Sequence, residues 1–130
     1  MIRIEHIAVW TSDVERLTAF YATYFDATAG ERYENPRWGF ASRFLSFPDG
    51  PRFEIMSSTV IPTVPFEPGA QRMGLTHVAL SVGSEQAVNA ITERLRTDGY
   101  RVVDEARWTG DGYYESVILD PDGTRTEITI

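Results

Sequence analysis

The chain repeats itself, and that repetition limits what it can fold into more than any other feature. His6-Ile7-Ala8-Val9 returns as His77-Val78-Ala79-Leu80, and Pro48-Asp49-Gly50-Pro51-Arg52-Phe53-Glu54 returns as Pro121-Asp122-Gly123-Thr124-Arg125-Thr126-Glu127. The interval from histidine to glutamate is nearly the same in both copies. A chain of 130 residues that duplicates itself in this way takes the architecture of its unit, twice over. Its two histidines, the only two it has, stand at equivalent places.

Both copies share one order of elements. Ile2 to Val9 alternates as a strand, and Ser12 with Glu15 three residues later forms a capping box for a helix. Val14, Leu17, Phe20, Tyr21 and Tyr24 then recur at helical spacing, and Gly30 lies shortly beyond. Tyr33 to Trp38, Phe40 to Phe47 and Phe53 to Met56 read as strands, the last two joined by the turn Pro48-Asp49-Gly50. In the second copy Thr76 to Val82 is the strand and Ser84 the helix cap. Val88, Ile91 and Leu95 form its buried face and Asp98-Gly99 its stop. Tyr100 to Val103, Tyr113 to Leu119 and Thr126 to Ile130 follow as strands. The expected fold is α+β, two tandem βαβββ modules over about 1–56 and 75–130 in a single domain. Residues 57–74, with Pro62, Pro65 and Pro68, form the linker.

Strand alternation decides which way the scarce residues point. Ile7 and Val9 share the aliphatic face that packs on a helix, so His6 faces away with Ala8 and Trp10. Val78 and Leu80 place His77 the same way. Glu54 sits between Phe53 and Ile55, and Glu127 between Thr126 and Ile128. A carboxylate set into an apolar strand is costly to bury alone, and here that cost arises twice at matching positions. One divalent ion held by His6, Glu54, His77 and Glu127 removes it in both places. Salt bridges from the neighbouring Arg52 and Arg125 are the competing explanation.

Composition removes other functions. At 42% hydrophobic and 24% charged the chain is an ordinary globular sequence. No apolar run approaches the ~20 residues of a membrane span, and the N-terminus lacks a signal-peptide pattern, so a cytoplasmic location is expected. Nineteen acidic against twelve basic residues, a formal charge of -7, argue against nucleic acid and anionic membranes. With no cysteine, disulfides, thiolate zinc sites and a thiol nucleophile are excluded.

At His6-Ile-Ala-Val, Phe53-Glu54-Ile-Met, His77-Val-Ala-Leu-Ser-Val and Asp120-Pro-Asp-Gly the chain resembles the glyoxalase I / vicinal oxygen chelate superfamily, over essentially its whole length. The resemblance implies two βαβββ modules forming an open eight-stranded, barrel-like sheet. It implies that His6, Glu54, His77 and Glu127 ligate one divalent ion per site, which Zn, Ni, Co, Mn and Fe all suit. In members similar to lactoylglutathione lyase that ion stabilises an enediolate while a carboxylate carries a proton between adjacent carbons. Glu127 then matches the catalytic base and Glu54 its opposite number, making the chain a lyase or isomerase of a small carbonyl compound or its thiol adduct.

The superfamily is broad, and fold does not fix its reaction. Thiol transferases and extradiol dioxygenases share the pattern with three protein ligands, an epimerase branch has glutamine where Glu54 stands, and bleomycin-binding relatives lack the metal. No glutathione-pocket signature stands out, and the substrate-binding residues are unknown. Arg16, Arg37 and Arg43 are candidates for an anionic substrate, and Asn35 to Trp38 and Trp108 to Tyr114 for a pocket wall. A small-molecule binding or resistance protein is the alternative function. Relatives assemble within one chain or between two. A proline-stiffened linker long enough to cross to a partner favours a homodimer with the site at the subunit interface.

Overall fold

Each repeat pairs its first strand with its last in parallel, an arrangement no tight turn can make, and the helix supplies the crossover. The computed structural model describes residues Met1 to Ile130, in two units, Met1–Pro65 and Phe66–Ile130. In the first unit β1 (His6–Trp10) leads into α1 (Val14–Phe25). β2 (Thr28–Ala29), β3 (Tyr33–Asn35), β4 (Phe40–Ser46) and β5 (Arg52–Ser58) follow. The sheet order is β1-β5-β4-β2, with β3 also on β4. In the second unit β6 (His77–Ser81), α2 (Glu85–Thr97), β7 (Val102–Trp108), β8 (Tyr114–Leu119) and β9 (Arg125–Thr129) give the order β6-β9-β8-β7. β1 runs parallel to β5 and β6 parallel to β9. The remaining pairs are antiparallel. This is the expected α+β architecture of two βαβββ modules. No helix is long and apolar enough to cross a membrane.

The helices pack where the apolar positions predict. Val14, Leu17, Phe20 and Tyr21 of α1 are buried with Leu45, Phe53 and Ile55, and the Tyr21 ring meets Phe53 edge-on at 5.1 Å. In the second unit Val88 and Leu95 are buried with Ile118 and Ile128, while Ile91 is only half-buried. Thr92 takes the place expected of a hydrophobe. Its hydroxyl donates to the Val88 carbonyl at 2.6 Å and lies 2.7 Å from the Ser116 hydroxyl, which satisfies both polar groups where water cannot reach.

Local chemistry moves several boundaries. The cap of α1 is Asp13, one residue after Ser12. Its extended backbone lets the carboxylate accept from the Arg16 N–H at 2.9 Å, an interaction worth about 1 kcal/mol. Glu15 does not complete a capping box; Arg43 and Arg32 draw it away. Ser84 does cap α2, accepting from the Ala87 N–H at 3.1 Å. The edge strand expected over Tyr33 to Trp38 ends at Asn35. Pro36 has no N–H to extend the ladder, and the Asn35 side chain caps a single 3-10 turn, Pro36–Trp38. This edge therefore exists in two pieces, β2 and β3, and β2 was not legible as a strand. Its counterpart β7 is continuous but irregular in register and extends to Trp108, beyond the expected stop at Val103. Within 57–74, β5 continues to Ser58, and the Gly69 N–H donates to the Gly123 carbonyl at 2.9 Å.

Candidate metal centre

Parallel pairing sets both histidine–glutamate pairs. Register opposes Ala8 to Glu54 and His6 to Arg52, and it opposes Ala79 to Glu127 and His77 to Arg125. Alternation carries His6 and Glu54 to the sheet face opposite α1, and His77 and Glu127 to the face opposite α2. His6 Nε2 lies 3.6 Å from Glu54 Oε2, and His77 Nε2 lies 3.3 Å from Glu127 Oε2. The glutamate side chains are 15% and 20% exposed, the histidines 40% and 38%. The carboxylates are thus partly withdrawn from water, while the imidazoles remain accessible.

The arginine explanation of these carboxylates does not hold. Arg52 donates to Glu5 rather than to Glu54, with its Nε 2.9 Å from Glu5 Oε1. Arg125 turns to Asp104 at 3.3 Å and to the Gly69 carbonyl. The basic group facing each strand glutamate is therefore the histidine of its own repeat. The other ring nitrogens are also engaged. His6 Nδ1 contacts Glu5 Oε2 at 2.5 Å, and His77 Nδ1 lies 2.8 Å from the Thr76 hydroxyl. Hydrogen bonds from His6 and then Arg52 hold the exposed Glu5 carboxyl below its ordinary range.

These pairs fit a divalent ion chemically. A neutral imidazole nitrogen and a carboxylate oxygen are borderline donors that first-row metals accept together, and an outward Nδ1 partner is the usual support of a metal-bound histidine. Within neither unit does a third acidic or imidazole side chain join the pair to form a group that could hold an ion. Each repeat provides two of the four expected ligands.

The two faces differ around their pairs. In the first unit Phe44 pairs with Glu54, and its ring meets the edge of His6 at 5.3 Å. On the same face Phe40 touches Trp10 and Tyr33 at 6.2 and 6.0 Å. In the second unit the counterpart of Phe44 is Val117. Two residues before it, Glu115 adds a second carboxylate to the face of Glu127. Burial, followed by repulsion from Glu127, raises the Glu115 pKa. Sequence reasoning passed over Glu5 and Glu115. The available signals were the contrast of Glu5-His6 with Thr76-His77, and a carboxylate inside the apolar run Tyr114 to Leu119. Among the candidate arginines, Arg43 is committed elsewhere, to Glu15 at 3.0 Å and to the Gly30 carbonyl at 2.8 Å. The Arg37 guanidinium lies over the Trp38 ring at 5.4 Å.

A family model described as the Glyoxalase/Bleomycin resistance protein/Dioxygenase superfamily matches residues 3–128. The chain is 27% identical over 128 residues to the uncharacterized protein YqjT of Bacillus subtilis (strain 168), covering 96% of each. Among solved structures, a glyoxylase/bleomycin resistance protein/dioxygenase domain from Frankia sp. EAN1pec superposes with TM-score 0.81 at 18% identity, over 99% of this chain and 91% of that one. The trypanothione-dependent glyoxalase I of Leishmania major superposes with TM-score 0.77 at 17% identity, over 99% and 86%. At these identities the structural likeness is one of fold.

The Glu115 environment has a consequence for stability. With its folded pKa raised above the ordinary 4.5, ionising this carboxyl costs more in the folded chain than in the unfolded one. The penalty is absent below about pH 4.5 and grows as pH rises through the folded pKa. Glu115→Gln should therefore stabilise the metal-free protein against urea at neutral pH and give no gain near pH 4. Equal effects at both pH values would contradict the burial argument.

Proposed function

Because this chain belongs to the glyoxalase/bleomycin resistance protein/dioxygenase superfamily, we propose that it is a divalent-metal-dependent lyase or isomerase of the glyoxalase I type, acting on a small 2-oxo or 2-hydroxy carbonyl compound or its thiol adduct. The observation that carries this reading is the matched placement of a histidine Nε2 against a glutamate carboxylate in both repeats, at 3.6 and 3.3 Å, with the nearby arginines engaged elsewhere. The glyoxalase I of Leishmania major shares the fold and supports the same direction.

In this proposal His6, Glu54, His77 and Glu127 ligate one divalent ion. Held there, such an ion would supply Lewis acidity towards substrate oxygen. The histidines contribute neutral nitrogen donors, and the glutamates contribute the negative charge that offsets the ion. Glu127 takes a proton from one substrate carbon onto a carboxylate oxygen and returns it to the adjacent carbon. Glu54 serves mainly as a ligand. Imidazole and carboxylate suit Zn, Ni, Co, Mn and Fe alike.

We further propose a homodimer in which His6 and Glu54 of one chain act with the partner subunit's His77 and the partner's Glu127. The proline-bearing segment around Pro62, Pro65 and Pro68 supports this by its stiffness and reach.

Glu127→Gln should retain the ion, because an amide oxygen still coordinates, but lose roughly 10²- to 10⁴-fold in turnover of a hemithioacetal. Elemental analysis of the purified variant and steady-state rates on several hemithioacetals are the measurements. Equal loss of metal and activity would remove the base role. Metal binding with no turnover of any substrate in the wild type would make the protein a binding member of the superfamily rather than an enzyme. For assembly, His6→Ala and His77→Ala proteins are mixed under conditions of proven subunit exchange. A shared site predicts partial recovery of metal binding, since one of the two sites in a mixed dimer is intact. Exchange without recovery means that each chain builds its own.

A further inference from the structure

The two histidines have unlike Nδ1 partners, and that difference has a chemical consequence. Glu5 is a carboxylate and can only accept, whereas the Thr76 hydroxyl can donate or accept. We infer that Glu5 is a positioning residue that fixes the His6 proton on Nδ1 and so leaves the Nε2 lone pair free for an incoming ion beside Glu54, while His77 has no such lock. What the freed nitrogen is for rests on the metal reading above; where the proton sits does not.

Glu5 is itself held in place. Its Oε1 accepts from Arg52 Nε at 2.9 Å and from Arg52 Nη2, which leaves Oε2 for His6. The Arg52 guanidinium lies over the Phe44 ring at 4.1 Å, and the His6 ring stands on the same phenyl group at an interplanar angle of 87°. Phe44 thus braces both the imidazole and the cation that anchors Glu5. The proton placement follows whether His6 is neutral or charged, since in either state an Nδ1–H is needed to face a carboxylate. The isolated imidazole favours the opposite tautomer, with its proton on Nε2, which offers a metal no lone pair at that nitrogen.

In the second repeat the parts of this device are replaced or re-paired. Thr76 stands for Glu5. The counterpart of Arg52 is Arg125, which is paired with Asp104, and the counterpart of Phe44 is Val117. If Thr76 donates to Nδ1, the His77 proton sits on Nε2 and faces Glu127 Oε2, which lies 3.3 Å away. That proton must move before His77 can ligate. The two repeats therefore match in their ligands and differ in how far those ligands are prepared.

The proton position is read in the metal-free full chain from two-bond ¹H–¹⁵N correlations of the imidazoles at about pH 9, above the histidine range. Wild-type His6 should show its proton on Nδ1. In Glu5→Thr, which copies the second repeat, the His6 proton should shift towards Nε2, and Thr76→Glu should draw the His77 proton to Nδ1. Competition with a chromophoric chelator, using Zn and Ni as the probes, should show affinity falling about 10- to 100-fold in Glu5→Thr. A wild-type His6 protonated on Nε2 overturns the assignment without need of any variant. An unchanged His6 pattern in a folded Glu5→Thr protein overturns it as well. If the tautomers move as expected but the wild type binds neither ion, the Glu5 assignment stands and the metal reading fails.

Discussion

The parallel pairing of first strand with last, made once in each repeat, is the constraint on which the rest of the molecule depends. It requires a crossover, which α1 and α2 supply, and it gives each helix an apolar sheet face to cover. The same register brings a histidine near the start of one strand beside a glutamate in the middle of the other. Ala8 opposite Glu54 and Ala79 opposite Glu127 leave small side chains where larger ones would crowd the pair. A slip of one residue in either pairing would turn the glutamate towards the helix and remove the pair altogether.

Electrostatics explains why these pairs stand out. The chain carries enough arginine to neutralise Glu54 and Glu127, yet Arg52 and Arg125 reach for Glu5 and Asp104. The basic group beside each of these partly withdrawn carboxylates is an imidazole. An uncompensated charge in that position is unfavourable, and a divalent cation would offset it while using both nitrogen and oxygen as ligands. The surroundings then give the two repeats different characters. The first is aromatic, with Phe44, Phe40, Trp10 and Tyr33, and its histidine is anchored through a carboxylate. The second is acidic, with Glu115 beside Glu127, and its histidine rests on a hydroxyl that can turn either way.

Much of this was legible in the sequence because it depends on periodicity. The duplication, the two βαβββ modules, the helix faces around Leu17 and Val88, and the outward side of His6 and His77 all follow from period-two and helical spacing. Features that depend on competition between neighbours were less accessible. Ser12 lost the cap to Asp13 because the backbone turns one residue later. Glu15 left the capping box because Arg43 and Arg32 lie across from it in the fold, not in the sequence. Pro36 broke an edge strand that composition alone would continue. The partners of Arg52 and Arg125 could not be chosen in advance, since each had several carboxylates within reach of its chain position.

In the proposed site one ion is ligated by histidines and glutamates drawn from both repeats. X-ray absorption at the metal edge of the protein loaded with one equivalent of zinc tests this most directly. The expected spectrum has the scattering pattern of two imidazole rings together with carboxylate oxygens, at about 2.0–2.2 Å from the ion, and loses one ring in His6→Ala and likewise in His77→Ala. A spectrum with no imidazole scattering, or with a single ring that only one of the two substitutions removes, would contradict it.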